Sequence, residues 1–275
     1  MAPVLFHIGQ VPVYGYGLML LAAFVVGAAL LTYELRQRSL DARVARDITA
    51  LAILFGVAGS KALSLADEGR AWSLLAWAGA WRDTMTWYGG LLAAMAAIFL
   101  YLRLRGLPVA RIADAGAPAL VLAYGIGRLG CHLAGDGDYG RPTDLPWGTR
   151  YDGGLVPPSR AFAGLPELVA SFPNGVVPDD TPCHPTPVYE FLLAGLICAA
   201  LLLWARRSHP EGSVFCLYLV LSSAARFGIE FLRLNPPIAF GLTEAQLIGA
   251  ALGLIGLGGL AARRRRALRM RAAAA

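Results

Sequence analysis

The stretch APALVLAYGIGRLGCHLAGDGDYGR, residues 117–141, changes from apolar to charged within a few residues. Its first part, residues 117–126, is apolar or small throughout. Residues 127–141 then bring Arg128, Cys131, His132, Asp136 and Asp138 with almost no transition. A charged side chain at the centre of a bilayer costs about 2.5 to 3.5 kcal/mol even on the mild insertion scale. An apolar helix that runs straight into these groups therefore predicts a membrane span with a functional end.

The composition indicates a membrane protein. Of the 275 residues, 57% are hydrophobic and 15% are charged, and the mean hydropathy is +0.56, which is too apolar for an ordinary soluble chain. Crossing the hydrocarbon core takes about 20 apolar helical residues, and the chain holds about seven such windows. We expect an all-α polytopic membrane protein with spans near residues 16–35, 48–65, 88–104, 113–133, 188–204, 213–232 and 242–260.

One long connection interrupts this pattern. Residues 134–187 are rich in Gly, Pro and Asp and lie between the fourth and fifth predicted spans. We expect a single integral membrane domain over residues 1–275, with residues 134–187 inserted as an extracytoplasmic cap. The Trp-rich piece WSLLAWAGAW, residues 72–81, is too short to span, so it is predicted to lie in the membrane interface.

The basic residues predict the orientation. Arginines follow the first, third, fifth and seventh predicted spans, and the last group is RRRRALRMR, residues 263–271. Connections rich in Lys and Arg stay in the cytoplasm, which places the N-terminus outside and the C-terminus in the cytoplasm. The net charge of +6 then fits contact with anionic membrane lipid, and we expect no nucleic-acid partner.

Ionisable residues inside the predicted spans are the first functional signal. They are Lys61, Arg128, Glu190, Arg226 and Glu230. Arg226 and Glu230 are four residues apart, hence on one helix face. One interpretation is a stabilising ion pair within the bundle. The other is a site for a lipid phosphate, because the cations outnumber the anions if Asp136 and Asp138 lie in water at the membrane boundary.

Glycines accompany these charges in three places, beside a tyrosine each time. The segments are YGYG at residues 14–17, YGG at residues 88–90 and YGIGRLG at residues 124–130. Small residues allow close packing of membrane helices, which explains most such glycines. The recurrence on three spans also favours a shared ligand cavity.

These motifs resemble a known family. The segments YGYGLML, YGGLLA, GRLG followed by acidic residues and YGR, HPTPVYEFLL, RFGIEFLR and LTEAQL occur in the order found in phosphatidylglycerol-prolipoprotein diacylglyceryl transferases. The resemblance implies a multi-pass enzyme of the bacterial inner membrane. Such an enzyme moves the diacylglyceryl group of phosphatidylglycerol onto the lipobox cysteine of a prolipoprotein signal peptide, forms a thioether and releases glycerol phosphate. It implies no cofactor and no metal.

The resemblance also implies site residues. As catalytic groups it implies Tyr16, Tyr88, Arg128, Asp136, Arg226 and Glu230. As substrate-binding groups we expect Lys61, Gly89, Gly90, Cys131, His132, His184, Glu190 and Arg233. Asp138 competes with Asp136 because this loop carries one extra residue.

Two positions depart from the family pattern. Tyr88 stands where the family has His, and Cys131 stands where its signature has Asn. Tyr, with a pKa near 10, is a poor proton acceptor at neutral pH, so His132 or His184 is expected to replace the missing imidazole. An alternative is a catalytically silent lipid-binding relative. A transporter is a third alternative, although no internal repeat supports it.

Two Cys-His pairs bracket the predicted cap, Cys131-His132 and Cys183-His184. Outside the cytoplasm a disulfide is chemically allowed, and it would pin the cap over the cavity. We therefore expect a Cys131–Cys183 disulfide. A metal site of two thiolates and two imidazoles and a pair of unpaired thiols are the alternatives.

Overall fold

The computed structural model describes residues 3–69 and 86–273 of the chain. Within these ranges the helices, in chain order, are α1 (Gly15–Gln37), α2 (Arg43–Asp67), α3 (Trp87–Leu104), α4 (Val109–Ala134), α5 (Pro158–Ala161), α6 (Pro166–Val169), α7 (Thr186–Ala205), α8 (Ser213–Glu230) and α9 (Glu244–Ala273). Six of the described helices are long and apolar enough to cross a membrane, and α3 is a shorter apolar helix. The predicted all-α polytopic class is confirmed, and each of the predicted spans is a helix.

The last helix differs most from expectation. The predicted seventh span ends near residue 260, whereas α9 continues to Ala273 and includes the arginine-rich stretch. Hydropathy marks where a span leaves lipid, but arginine is a good helix former, so the helix continues past that point. The basic segment is therefore part of a helix and not a separate tail.

Two short hairpins lie before membrane helices and were not predicted. Strand β1 (Val4–Ile8) pairs antiparallel with β2 (Val11–Tyr14) just before α1. Strand β3 (Pro237–Ala239) pairs with β4 (Leu242–Thr243) just before α9. The second turn holds Phe240 and Gly241 in the left-handed region, at φ of 53° and 71°. Strands this short leave too little alternation in the sequence to be recognised.

The helices fall into two compact units. The first comprises Met1–Gly27 and Ala113–Ala275, and in it α8 packs along α9 and against α7. Its helices expose large apolar side chains, as helices surrounded by lipid do; Leu196, Leu203 and Leu254 are 68%, 73% and 69% exposed.

The second unit comprises Ala28–Ile112 and is built on α2 and α3. These helices cross at Gly59 and Gly89, where a Cβ on Gly89 would lie 2.3 Å from the carbonyl oxygen of Gly59. The unit also holds a partly buried ion pair at the end of α1, in which Arg38, just after the helix, donates to Glu34 at 3.1 Å.

The segment predicted as a cap, between α4 and α7, has a small core of its own. Tyr139, Tyr151, Phe162, Val177 and Cys183 are buried together there. Backbone bonds close the segment, since Thr149 and Cys183 exchange amide-to-carbonyl bonds of 2.9 Å. Its position outside the membrane stays a prediction. The Trp-rich piece at residues 72–81 lies outside the described residues, so its interfacial location also stays a prediction.

Candidate functional site

The site is built around Arg128, near the C-terminal end of α4. One turn earlier, Gly125 lies against α7, where a Cβ on Gly125 would come within 2.6 Å of the Ala194 Cβ. This close approach brings the next turn of α4 opposite the first turns of α7. The Nε of Arg128 donates there to the carboxylate of Glu190, and the two side chains are 12% and 4% exposed.

Helix α8 contributes the second arginine. Arg226 forms an ion pair with Glu230 at 2.6 Å, as one of the two interpretations of their four-residue spacing expects. The same guanidinium lies 3.6 Å from Glu190. Glu190 therefore stands between Arg128 of α4 and Arg226 of α8, and the three helices share one charged network.

Asp138 completes this network. One carboxylate oxygen of Asp138 accepts from Arg128, and the other accepts from Arg233 at 2.6 Å. The backbone of Asp138 is fixed as well, because its carbonyl oxygen accepts from Arg233 at 2.8 Å and from the Thr186 hydroxyl at 2.9 Å. Sequence reasoning favoured Asp136 for the acidic role. The structure instead brings Asp138 to the arginines.

The loop geometry explains why the second aspartate reaches the arginines. Gly135 and Gly137, on either side of Asp136, have φ of 59° and 91°, a conformation that L side chains rarely adopt. The chain turns sharply at both, and the Asp136 carboxylate accepts from the Asp138 amide at 3.2 Å. Asp136 thus holds the turn that presents Asp138.

The pKa values of the two aspartates are shifted in opposite directions. Burial and the neighbouring Asp138 charge raise the pKa of Asp136. Burial alone would raise the pKa of Asp138 too, but Arg233 and Arg128 outweigh it and lower that pKa to about 2. At neutral pH Asp138 is the charged partner of both guanidiniums.

The network is balanced in charge, which corrects the expected excess of cations. Each guanidinium has a carboxylate partner, because Asp138 joins the network instead of lying in water. The six members are Arg128, Arg226, Arg233, Asp138, Glu190 and Glu230. Three buried arginine nitrogens of the network have no hydrogen-bond partner among the described residues: Nη2 of Arg128, Nη1 of Arg226 and Nε of Arg233. The last two lie 2.6 Å and 3.9 Å from Glu230 in ion pairs, so the Nη2 of Arg128 is the most open of the three.

Glu230 is held by residues that sequence reasoning missed. Its Oε1 accepts from Asn235 Nδ2 at 2.6 Å and from the Thr243 hydroxyl at 2.8 Å. Thr243 precedes α9, and it exchanges bonds with Gln246, whose Oε1 accepts from the Thr243 amide at 3.1 Å. This is a capping box, for which the TEAQ segment carries the sequence signal. The start of α9 is thus tied to a buried carboxylate of the site.

Other predicted site residues lie around this network. Tyr16, in the first turn of α1, packs on Gly130, where a Cβ would be 3.2 Å from the tyrosine ring. The Nδ1 of His132 lies 3.0 Å from the Tyr151 hydroxyl. The Nδ1 of His184 lies 3.3 Å from the Tyr189 hydroxyl. The two histidines therefore have different aromatic partners.

Four predicted site residues belong to the second compact unit. Lys61 is buried on α2, and Tyr88 is 40% exposed in the first turn of α3. Gly89 and Gly90 lie where α3 crosses α2, and a Cβ on Gly90 would be 2.3 Å from the Ser60 hydroxyl. The structure gives both glycines a packing contact. A substrate-binding role for the four residues stays a prediction.

The predicted Cys131–Cys183 disulfide is wrong, because both residues are free and buried. Cys131 lies on the last turns of α4, with its sulfur 3.4 Å from Arg128 Nη1. Cys183 lies in the aromatic core of the connecting segment, and its sulfur contacts the Thr181 carbonyl at 3.5 Å. Backbone hydrogen bonds close this segment without a covalent link.

A group of possible metal ligands occurs beside the network. The Cys131 sulfur and carboxylate oxygens of Asp136 and Asp138 lie within 4.8 Å of one another. Both oxygens of Asp138 already accept from guanidinium groups, and those positive charges oppose a cation at this position.

Fold and site together define a class: a polytopic membrane protein with buried, paired arginines at one end of its spans. The sequence profile of the prolipoprotein diacylglyceryl transferase family matches residues 3–262. The chain belongs to this family.

Several relatives share the name phosphatidylglycerol–prolipoprotein diacylglyceryl transferase. The protein from Frankia alni is 33% identical over 236 residues, which are 83% of this chain and 57% of that relative. The one from Parasynechococcus marenigrum is 30% identical over 92% of this chain and 91% of its own length. The one from Clostridium tetani is 27% identical, with coverages of 86% and 87%. The chain thus spans little more than half of the Frankia relative and most of the other two.

Proposed function

We propose that this chain transfers the diacylglyceryl group of phosphatidylglycerol to the lipobox cysteine thiol of a prolipoprotein and releases glycerol phosphate. Family membership and the names of the relatives support this activity. The observation that carries the proposal is the buried guanidinium of Arg128, with an open Nη2, inside a network of three arginines. We expect purified protein to transfer label from the diacylglyceryl group of phosphatidylglycerol to a lipobox peptide. Absence of transfer under conditions where a family relative is active would refute the proposal.

The phosphate is the group that the arginines recognise. A planar guanidinium presents paired donors that match two phosphate oxygens, and it stays charged at any pH the protein meets. A lipid phosphate beside Arg128 would accept from the open Nη2, while Arg226 lies across Glu190 on the same network. Headgroup binding and catalysis then use the same cations.

The reaction itself is a displacement at carbon. The thiol sulfur of the client forms a bond to the glycerol carbon, and the bond from that carbon to the phosphate oxygen breaks. The electron pair goes to the departing glycerol phosphate, and the thiol proton goes to a base. Arginine donors aimed at the phosphate stabilise the charge that develops on it.

His132 is our candidate for the base. It lies four residues after Arg128 on α4, so both side chains emerge on one helix face. If its Nδ1–H donates to the Tyr151 hydroxyl oxygen, Nε2 is left to accept the thiol proton. We expect His132→Gln to lose most of the turnover, and unchanged turnover would remove His132 from the mechanism.

Tyr88 is proposed to form a hydrogen bond with the lipid headgroup. Tyr88→Phe should therefore lose activity, and Tyr88→His should retain it. Unchanged turnover in Tyr88→Phe would remove Tyr88 from the mechanism.

The site is proposed to face the outer side of the bacterial inner membrane. Gly15 at the start of α1 lies against Leu133 at the end of α4, and the Arg141 amide donates to Leu232 just after α8. These ends carry or adjoin the network, whereas arginines lie at or just after the opposite ends of α7 and α9. By the positive-inside rule the network end is outer, with residues 134–187 as a cap and the C-terminus in the cytoplasm. Cysteine-accessibility labelling of Asp152→Cys in intact cells tests this, and protection from an impermeant reagent would reverse the orientation.

A silent lipid-binding role is the second candidate. It is favoured by the balanced network, in which every arginine of the network already has a carboxylate partner. It is also favoured by Tyr88 and Cys131, which stand at the two positions that differ from the family pattern. Binding of labelled phosphatidylglycerol without any transfer to the peptide identifies this role. Transfer excludes it.

A further inference from the structure

Asp138 occupies a position suited to a phosphate. Its two carboxylate oxygens bridge the guanidinium groups of Arg128 and Arg233, one oxygen to each. A phosphodiester has two charged oxygens in a similar arrangement and makes the same kind of charge-assisted bonds. A resident side chain and the proposed substrate therefore compete for the same pair of donors.

We propose that the lipid phosphodiester binds by displacing the Asp138 carboxylate from Arg128 and Arg233, and that the return of this carboxylate expels the product phosphate. The inference rests on the proposed function in one respect, that phosphatidylglycerol is the lipid donor. It makes Asp138 a positioning residue of the reaction, although sequence analysis placed Asp136 first.

Charge conservation supports the exchange. The arginines and carboxylates of the network are equal in number, so adding an anion without removing one leaves an excess negative charge in a buried place. A phosphodiester and a carboxylate each carry a single negative charge. Replacing one with the other keeps the network neutral.

Exposure identifies which carboxylate leaves. The side chains of Glu190 and Glu230 are 4% and 0% exposed, whereas that of Asp138 is 36% exposed. Glu230 is also held by Asn235 and Thr243. Asp138 is the one carboxylate of the six-membered network that can turn into water, where hydration replaces its lost ion pairs.

The movement required is small. The carbonyl oxygen of Asp138 is fixed by Arg233 at 2.8 Å and by Thr186 at 2.9 Å, so the backbone stays in place while the side chain rotates. The guanidinium of Arg233 also stays anchored through this carbonyl. The position vacated by the carboxylate is thus preformed for the incoming phosphate.

The same exchange assists product release. The product is a phosphate monoester, which carries about −1.5 to −2 charges near neutral pH and would bind a pair of arginines more strongly than the diester does. A tethered carboxylate that competes for both arginines shortens the lifetime of that complex. Removal of Asp138 should therefore strengthen binding of substrate and product and slow turnover through slow release.

The test compares Asp138→Asn with wild type and uses Asp152→Asn, at an exposed aspartate of the connecting segment, as the matched control. Glycerol 1-phosphate binding to the full-length protein in micelles is measured by titration. We expect Asp138→Asn to bind about tenfold more tightly, a change of roughly 1.4 kcal/mol, while Asp152→Asn stays within about twofold of wild type. Equal or weaker binding by Asp138→Asn would overturn the proposal.

Kinetics and stability supply independent readouts. With phosphatidylglycerol and a lipobox peptide, KM for the lipid and kcat should both fall in Asp138→Asn, whereas loss of a merely structural residue lowers kcat without lowering KM. If Asp138→Asn folds poorly, glycerol 1-phosphate should raise its Tm more than it raises the Tm of wild type; an equal rise contradicts the exchange. Product binding is measured without turnover. If the protein fails to transfer lipid, but Asp138→Asn binds glycerol 1-phosphate more tightly than wild type does, only the proposed activity is refuted.

Discussion

Gly125 of α4 lies against Ala194 of α7, one turn before Arg128 on the first helix and one turn after Glu190 on the second. The closeness of the two backbones sets the position of the buried ion pair. A Cβ on Gly125 would be 2.6 Å from the Ala194 Cβ and 3.3 Å from the Phe191 Cα, so a side chain forces the helices apart.

We therefore expect Gly125→Ala to reduce lipid transfer at least tenfold, because it separates Arg128 from Glu190 by pushing α4 away from α7. Gly127→Ala is the matched control, since a Cβ there would meet no atom within 4 Å. Initial rates of transfer to a lipobox peptide measure both. Equal activity in the two variants would show that the helix crossing does not position the ion pair.

Thr243 connects the start of α9 to Glu230 and is expected to matter for both stability and activity. Replacement by Val keeps the shape but removes the hydroxyl that donates to Glu230 and accepts from the Gln246 amide. Loss of such an N-cap costs about 1 kcal/mol. Thr243→Val should thus lower both Tm and the rate of lipid transfer, while Thr243→Ser retains both. Equal Tm and equal transfer in the two variants would show that the hydroxyl contacts contribute to neither.

The ion pairs of Asp138 predict a pH-dependent contribution to stability. Arg233 and Arg128, working against burial, lower the pKa of this carboxyl to about 2. Because this folded-state pKa lies below the unfolded value near 3.9, the contribution is present above about pH 4 and is lost as the pH falls towards 2.

Thermal unfolding in micelles tests this. The Tm difference between wild type and Asp138→Asn should be largest near neutral pH and should shrink on acidification from about pH 5 to about pH 2.5. A difference that stays constant over that range would mean that the carboxylate charge does not contribute.

The cysteines are expected to be reduced and slow to react in the folded protein. Burial raises the pKa of Cys183 to about 12, so its thiol is protonated at neutral pH and is a poor nucleophile. A maleimide should label all four cysteines of the denatured protein without any reductant. In the folded protein it should label Cys183 slowly. A requirement for reductant at Cys131 and Cys183 together would restore the disulfide that the structure lacks.

The sequence predicts those features that depend only on residues close together in the chain. Apolar windows predicted the seven long helices of the described residues, and the four-residue spacing placed Arg226 and Glu230 on one helix face, where they form an ion pair. Both depend on helix periodicity alone. The end of α9 was missed because a change in hydropathy ends a membrane span but does not end a helix.

Contacts between distant segments could not be predicted in the same way. Arg128 and Glu190 are 62 residues apart, and their meeting depends on the crossing of α4 and α7. The choice of Asp138 over Asp136 depends on two left-handed glycines, whose conformation the sequence permits but does not require. The expected disulfide failed for a related reason, since equal Cys-His pairs at both ends of a segment do not bring their sulfurs together.

We infer that Arg128 binds the phosphate of the lipid donor during diacylglyceryl transfer. The most direct test is transfer of label from the diacylglyceryl group of phosphatidylglycerol to a lipobox peptide by purified Arg128→Ala. Arg150→Ala, an exposed arginine in the connecting segment, serves as the control, and circular dichroism verifies that both variants fold. We expect label on the peptide cysteine with wild type and Arg150→Ala and none above background with Arg128→Ala. Transfer by Arg128→Ala at the wild-type rate would show that Arg128 does not bind the phosphate.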